Sequence, residues 1–228
     1  GFGGYSSADY GNGWVGMLLD NGTTTIYKVC GVNTNGECGN GANFTSPQLT
    51  PVTPNVGSGR IADVAAVGDG QGASYVLKED GSLYTWGYNG YGQLGNGTTT
   101  NNYTPTVNAT SVNTLLTNSC VCYVQGYVAV GFIKKSDGYM YGAGYNAYGQ
   151  LGVGDTTNRS VFTRTVLPSD FNVSSLGWMA TTYPTMVFLA QSTDGRFYAW
   201  GYNVQNAIST ETTINLLTPT QISPFLGG

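Results

Sequence analysis

The stretch Gly81-Ser-Leu-Tyr-Thr-Trp-Gly-Tyr-Asn-Gly-Tyr-Gly-Gln-Leu-Gly95 returns 57 residues later as Gly138-Tyr-Met-Tyr-Gly-Ala-Gly-Tyr-Asn-Ala-Tyr-Gly-Gln-Leu-Gly152. After another 57 residues a third copy runs from Gly195 to Asn203, and a worn first copy, Ile-Tyr-Lys-Val-Cys-Gly-Val-Asn, runs from Ile26 to Asn33. Four units therefore occupy nearly all of the 228 residues. Self-similarity at a period near 50 residues marks architectures in which neighbouring units share a core, because one unit alone cannot bury its apolar face.

Outward from this stretch, each unit carries a short apolar run before an Asx-Gly step: Met17 to Leu19 before Asn21-Gly22, Tyr75 to Lys78 before Asp80-Gly81, Phe132 to Lys135 before Asp137-Gly138, and Val187 to Gln191 before Asp194-Gly195. Asx-Gly between two such runs is the strongest short hairpin signal, since both turn positions are expected to take φ > 0. The returning runs are Leu83 to Trp86, Met140 to Ala143 and Phe197 to Trp200; each enters a Gly-rich reversal and then a polar Thr/Asn tract. One more apolar run precedes each hairpin (Ile61 to Val67, Cys120 to Val124, Trp178 to Thr182), so about four strands are predicted per unit and no helix. The fold class is all-β. Four-stranded units repeated around an axis make a β-propeller, and closure leaves only short sheet edges. A β-solenoid, the competing arrangement, rarely needs a hairpin in every rung. The division read from the repeats is a Gly/Ser/Tyr-rich leader or linker over 1–13 and blades over 14–57, 58–111, 112–168 and 169–228.

The string from Asp80 to Gly97, Asp-Gly-X-Leu-Tyr-X-Trp-Gly-X-Asn-X-Tyr-Gly-Gln-Leu-Gly-X-Gly, resembles the repeat of the regulator-of-chromosome-condensation family, and the resemblance runs from about Met17 to Ile222. Two units fit closely. The fourth replaces Tyr-Gly-Gln-Leu-Gly with Val204-Gln-Asn-Ala-Ile208, and the first has Cys30 and Cys38 where Trp86 and Leu94 stand. Members of that family are typically seven-bladed, so the resemblance implies that four units are either part of a larger ring or a departure from it, such as a closed ring of four. It also implies that the Trp and Leu positions are buried together, which makes a Cys30–Cys38 disulfide the expectation; a short closed loop contributes roughly 2–3 kcal/mol on the loop-entropy account. Cys120 and Cys122 lie two apart on one strand face, too strained to pair with each other, and read as core residues.

Composition narrows the function. Charged residues are 9% of the chain, against about 25% in ordinary globular proteins, and a net charge of −4 without basic clusters leaves nothing to neutralise a phosphate backbone. Nucleic acid is excluded as a partner, and no apolar run reaches the roughly 20 residues of a membrane span. The chain has no histidine, which removes the commonest general base and metal ligand together. Gly90-Tyr-Gly92-Gln-Leu-Gly95 has the spelling of a dinucleotide loop but lacks the following helix that would receive a pyrophosphate. No catalytic residue, cofactor or metal site is therefore assigned.

The remaining candidates are aromatic and amide side chains at the reversing loops: Tyr88, Asn89, Tyr145, Asn146, Tyr202 and Asn203. Tyrosine presents large contact area at little entropic cost, which suits recognition of sugars or protein surfaces. Tyr91 and Tyr148 belong to the family's own repeat and are expected to pack blade against blade. With low charge, abundant Gly, Asn and Thr and the expected disulfide, the sequence points to a non-catalytic recognition or scaffolding module on an extracellular, cell-surface or virion-exterior site. A phage tail fibre or bacterial adhesin binding a glycan or protein receptor is the form envisaged, within a longer chain or assembly and open to self-association as a homo-oligomer. The resemblance implies instead an intracellular regulator of a small GTPase or of chromatin; a carbohydrate-active enzyme using scattered carboxylates is a third reading.

Overall fold

The computed structural model describes residues 4–11, 13–67, 72–116, 130–180, 186–204, 208 and 213–222, with backbone alone at 4–11 and 178–180. The described residues form sixteen strands and no helix, and hence no helix long and apolar enough to cross a membrane. Four antiparallel meanders follow in chain order: β1 (Gly4–Gly11), β2 (Trp14–Asp20), β3 (Thr25–Asn33) and β4 (Phe44–Val52); then β5 (Ile61–Val67), β6 (Ala73–Lys78), β7 (Leu83–Gly87) and β8 (Asn102–Ala109); then β9 (Val112–Leu115), β10 (Val130–Lys135), β11 (Met140–Gly144) and β12 (Arg159–Arg164); then β13 (Val173–Ala180), β14 (Met186–Ser192), β15 (Phe197–Gly201) and β16 (Leu216–Ile222). Within each sheet, sequence neighbours are spatial neighbours, so no connection crosses over an intervening strand. β1 lies against β5 and β5 against β9, which places the first strand of successive sheets toward a common centre. This is the blade arrangement of a propeller.

Two boundaries differ from the sequence reading. Residues 4–11, within the segment read as a leader or linker, form a strand: they pair antiparallel with β2, Gly4 opposite Asp20 and Gly11 opposite Trp14, and complete the first sheet. Glycine and serine content hid a strand whose job is backbone pairing. In the third sheet the strand paired with β10 is Val112–Leu115, while the predicted run Cys120 to Val124, with Cys120 and Cys122, falls outside the described residues.

The hairpins are built on the Asx-Gly steps, but only the glycine is left-handed. Gly81, Gly138 and Gly195 have φ of 82°, 84° and 87°, and the preceding aspartates are not among the positive-φ residues. The Gly81 amide donates to the Lys78 carbonyl at 3.0 Å and the Lys78 amide to the Ser82 carbonyl at 2.9 Å. This is a three-residue loop, a type I turn closed by a glycine bulge, instead of the two-residue form with both positions at φ > 0. The Asp80 carboxylate accepts from the Ser82 amide at 2.9 Å, so aspartate is selected for its side-chain acceptor and not for a tolerance of positive φ.

The core lies between sheets. Trp86 and Trp200 are fully buried, and each indole donates backward to a backbone carbonyl of the preceding sheet: Trp86 to Glu37 at 2.8 Å and Trp200 to Gln150 at 2.7 Å. The third unit has Ala143 at this position, which would strand the Gln93 carbonyl. Tyr75 of the second sheet fills the gap, its hydroxyl donating to the Gln93 carbonyl. Its ring reaches the third sheet at Gly131, where a Cβ would collide with the hydroxyl. A residue lost from one blade is thus compensated from its neighbour.

Cys30 and Cys38 are free thiols, contrary to the expected disulfide. Along β3, Tyr27 and Val29 face the interface with the second sheet, where they pack with Cys38 and Trp86. Cys30 has the opposite parity, so its side chain leaves from the other face of the sheet. The Trp and Leu positions serve different interfaces, one backward and one forward, and cysteines placed there are kept apart by the sheet itself.

Candidate functional site

The third strands β7, β11 and β15 each end in a glycine, and in β7 and β15 the close approach of the second strand requires it. Gly87 has φ 101°, and a Cβ there would stand 2.5 Å from the Gly72 carbonyl; the next amide, of Tyr88, donates to that same carbonyl at 2.9 Å. Gly201 and Tyr202 repeat the arrangement on the Met186 carbonyl. The chain then folds into a double turn. The Gly92 amide reaches the Asn89 carbonyl and the Gly95 amide the Gly92 carbonyl, and the same bonds recur at Asn146, Gly149 and Gly152.

The asparagines of this loop are fully buried and hold it together. Asn89 accepts from the Leu94 amide at 2.9 Å and donates to the carbonyls of Thr98 and Thr100 at 3.0 Å each. Asn146 accepts from Leu151 and donates to the carbonyls of Asp155 and Thr157; Asn203 accepts from Ile208 and donates to the Ile214 carbonyl. Asn33 repeats it in the first unit, with Cys38 and Ala42. Three candidates, Asn89, Asn146 and Asn203, are therefore removed from the surface. A side chain with two donors and an acceptor is what a loop of unpaired backbone groups needs at its centre. Ile208 takes the buried place of Leu94 and Leu151, so the fourth loop keeps its clamp despite its altered spelling.

The loops also stitch sheet to sheet. Gly41 donates to the Tyr103 carbonyl, Gly97 to Ser160 and Gly154 to Leu217, each time from one unit to the outermost strand of the next.

The tyrosines end up differently. Tyr88, Tyr145 and Tyr202 are half-buried, as are Tyr91 and Tyr148. Their rings form one continuous row across three sheets: Tyr88 to Tyr91 at 6.2 Å between centroids, Tyr91 to Tyr145 at 5.0 Å, Tyr145 to Tyr148 at 6.2 Å, and Tyr148 to Tyr202 at 5.3 Å. Most of these contacts are edge-to-face, the arrangement in which the positive ring edge meets the negative face. Tyr91 and Tyr148, left out of the sequence-derived set, are the links between units. Their equal spacing within the two close repeats was the available signal. In the first unit the same positions hold Val32 and Asn35, and the row stops.

The described carboxylates are committed elsewhere. Arg60 bridges Asp20 at 2.8 Å and Glu79 at 2.9 Å, Arg159 pairs with Asp155, and Arg196 with Asp170 and Asp194. Glu37 is buried and accepts from the Asn35 amide and side chain at 2.8 and 2.9 Å, the place taken by Gln93 and Gln150 in later units. Among the described residues no group of three or more carboxylate and thiol side chains could hold a metal ion.

Residues 80–125 match the family model described as the regulator of chromosome condensation (RCC1) repeat, and residues 61–93 match a second model of the same description. The chain is 30% identical over 195 residues to the ultraviolet-B receptor UVR8 of Arabidopsis thaliana, covering 84% of this chain and 40% of the receptor. It is 29% identical over 157 residues to the X-linked retinitis pigmentosa GTPase regulator of Canis lupus familiaris, covering 65% of this chain and 14% of the regulator. The structure of Prp20p from Saccharomyces cerevisiae, solved with its binding properties to Gsp1p and histones, superposes with a TM-score of 0.65 at 18% identity, over 93% of this chain and 50% of Prp20p. The chain thus spans half or less of each of these relatives.

These matches overturn the extracellular or virion-exterior location and the tail-fibre or adhesin role, and the glycan receptor and homo-oligomer lose their support with them. A receptor of light and a regulator of GTPases, and a fold neighbour studied with histones, are the company the repeats keep. Low charge with abundant Gly, Asn and Thr misled because the repeat itself demands it: glycine at the bends, asparagine as clamp and threonine in the outer strands.

Proposed function

Because the chain belongs to the regulator of chromosome condensation repeat family, we propose that it is a non-catalytic protein-recognition module of the GTPase-regulator kind, which presents its tyrosine row to a protein partner. The observation that carries this reading is the continuity of the five rings over three sheets. Half-buried, mutually braced tyrosines lose little freedom on binding and are the residue type in which interface energy concentrates. The clamp beneath them fixes the loops before any partner arrives, so ordering costs are already met. A GTPase is favoured by the 29% identity to a GTPase regulator.

The test is binding to a panel of nucleotide-free small GTPases, with release of a fluorescent GDP analogue as the functional readout. Tyr91→Ala and Tyr148→Ala are expected to weaken binding by about 2 kcal/mol or more each, with thermal unfolding nearly unchanged. Asn89→Ala, in contrast, leaves the buried Leu94 amide unpaired and is expected to cost about 1–3 kcal/mol of stability. Binding by the tyrosine variants equal to wild type, or no GTPase bound by the intact protein, refutes the proposal.

A further inference from the structure

The connection from Thr53 to Arg60, between the first and second sheets, folds over a cavity of about 300 Å³ whose walls include Thr25, Ile26, Thr53, Val56, Ile61 and Lys78. Lys78 ends β6 and is only 3% exposed. Its ammonium donates to the Gly59 carbonyl at 2.6 Å, and no ion pair to it exists among the described residues. The acids next to it in sequence are engaged: Glu79 is on Arg60, which also holds Asp20, and the Asp80 carboxylate caps its own turn on the Ser82 amide. An ammonium has three donors, and one neutral carbonyl satisfies one of them. Burying such a charge without a counter-ion costs several kcal/mol. Burial accordingly holds the Lys78 amine below the usual lysine range, with Asp80 opposing.

Among the described residues, only the second unit buries a lysine at this position. At the same position the third unit has Lys135, half-buried over the Tyr141 ring at 4.7 Å, and the first and fourth have Leu19 and Ser192. Thr25, opposite, already accepts from the Ile61 amide at 2.6 Å, so it closes the wall without neutralising the amine. A single cation at one end and the buried side chains of Val56 and Ile61 along the walls define the complementary ligand: one negative charge on a short apolar body. A phosphate dianion would demand more donors than this cavity presents.

We propose that the cavity between the first two sheets binds a small carboxylate, whose anionic end pairs with Lys78 and whose short apolar tail lies against Val56 and Ile61. The site is separate from the tyrosine row and stands or falls independently of it. The same carboxylate chemistry is available from a free acid or from an acidic side chain of a partner, and the size of the cavity admits either.

Isovalerate, its neutral counterpart isovaleramide, and N-acetylglutamate N-methylamide are titrated into the protein while the Lys78 side-chain methylene and the Val56 amide are followed by NMR. Saturable shifts with isovalerate are expected, with isovaleramide weaker by about tenfold or more and Lys78→Met weakened to the same extent. Tighter binding of isovalerate than of the glutamate compound assigns a free acid; the reverse order assigns a partner's side chain. Equal titration by acid and amide, no saturation by either carboxylate, or unchanged binding in Lys78→Met overturns the site. Val56→Trp, which fills the cavity and keeps the lysine, abolishes binding if the proposal holds and supplies the test should Lys78→Met fail to fold.

Discussion

Asn33, Asn89, Asn146 and Asn203 occupy one position in four units and make one set of bonds, so their meaning lies in what the loop backbone lacks. The cysteines of the first unit show the opposite case, in which a substituted position acquires new chemistry. Cys38, fully buried and beside Glu37, has its thiol pushed up to about 12, chiefly by burial and next by the Glu37 carboxylate. Only a thiolate alkylates readily, so Cys38 is inert at neutral pH, whereas half-buried Cys30 is within reach of reagent. Peptide mapping after iodoacetamide treatment of the native protein at pH 7.5 is expected to find Cys30 modified and Cys38 unmodified. Modification of both to equal extent, or of neither without prior reduction, contradicts this arrangement.

Strands of this chain are specified by pairing within a sheet and by side chains exchanged between sheets, and the two kinds of information differ in how openly they are written. Outermost strands tolerate Pro47, Pro51, Pro105 and Pro219, since a strand at a sheet edge has one side free of ladder bonds. The interface between the second and third sheets depends on Tyr75, whose hydroxyl serves the carbonyl that Trp86 and Trp200 would serve elsewhere. Tyr75→Phe is expected to lower stability by about 1–2 kcal/mol, the cost of an unpaired buried carbonyl. Gly131→Ala is expected to cost more, because the new methyl occupies the space of the Tyr75 hydroxyl. Urea unfolding measures both, and a neutral Tyr75→Phe shows that the Gln93 carbonyl finds another donor.

The assembled propeller carries few charges, and several of its carboxylates are tied locally. Asp137 is held below the usual carboxylate range by the Tyr141 hydroxyl and the Tyr139 amide, Asp155 by Arg159, and Asp194 by Arg196 and Ser192. Asp80 is held down by the Ser82 amide, and Asp20 by the Gly22 amide and then Arg60. A carboxylate that stays ionised to lower pH when folded contributes stability in full above its ordinary value of 3.8 and loses it as pH falls through the folded value. The chain has no histidine, so no side chain at its ordinary pKa titrates between about pH 5 and 8. The thermal midpoint is therefore expected to be flat over that interval and to fall below about pH 4. A calorimetric midpoint that moves by several degrees between pH 6 and 7 contradicts this account.

The repeat, the Asx-Gly turns and the apolar runs settled the all-β class, the number of sheets and the place of each hairpin, because these depend on local backbone preferences and on a period that any single chain displays. The strand at Gly4–Gly11 was not legible because its pairing with β2 leaves no apolar signature in its own residues. The Asn clamps, the exchange of Tyr75 for a missing tryptophan, the separation of Cys30 from Cys38 and the joining of five tyrosines into one row were decided by the tertiary structure alone. Each depends on which face of a sheet a side chain leaves and which neighbouring sheet it meets, and residues far apart in sequence do not state that relation until the sheets are packed.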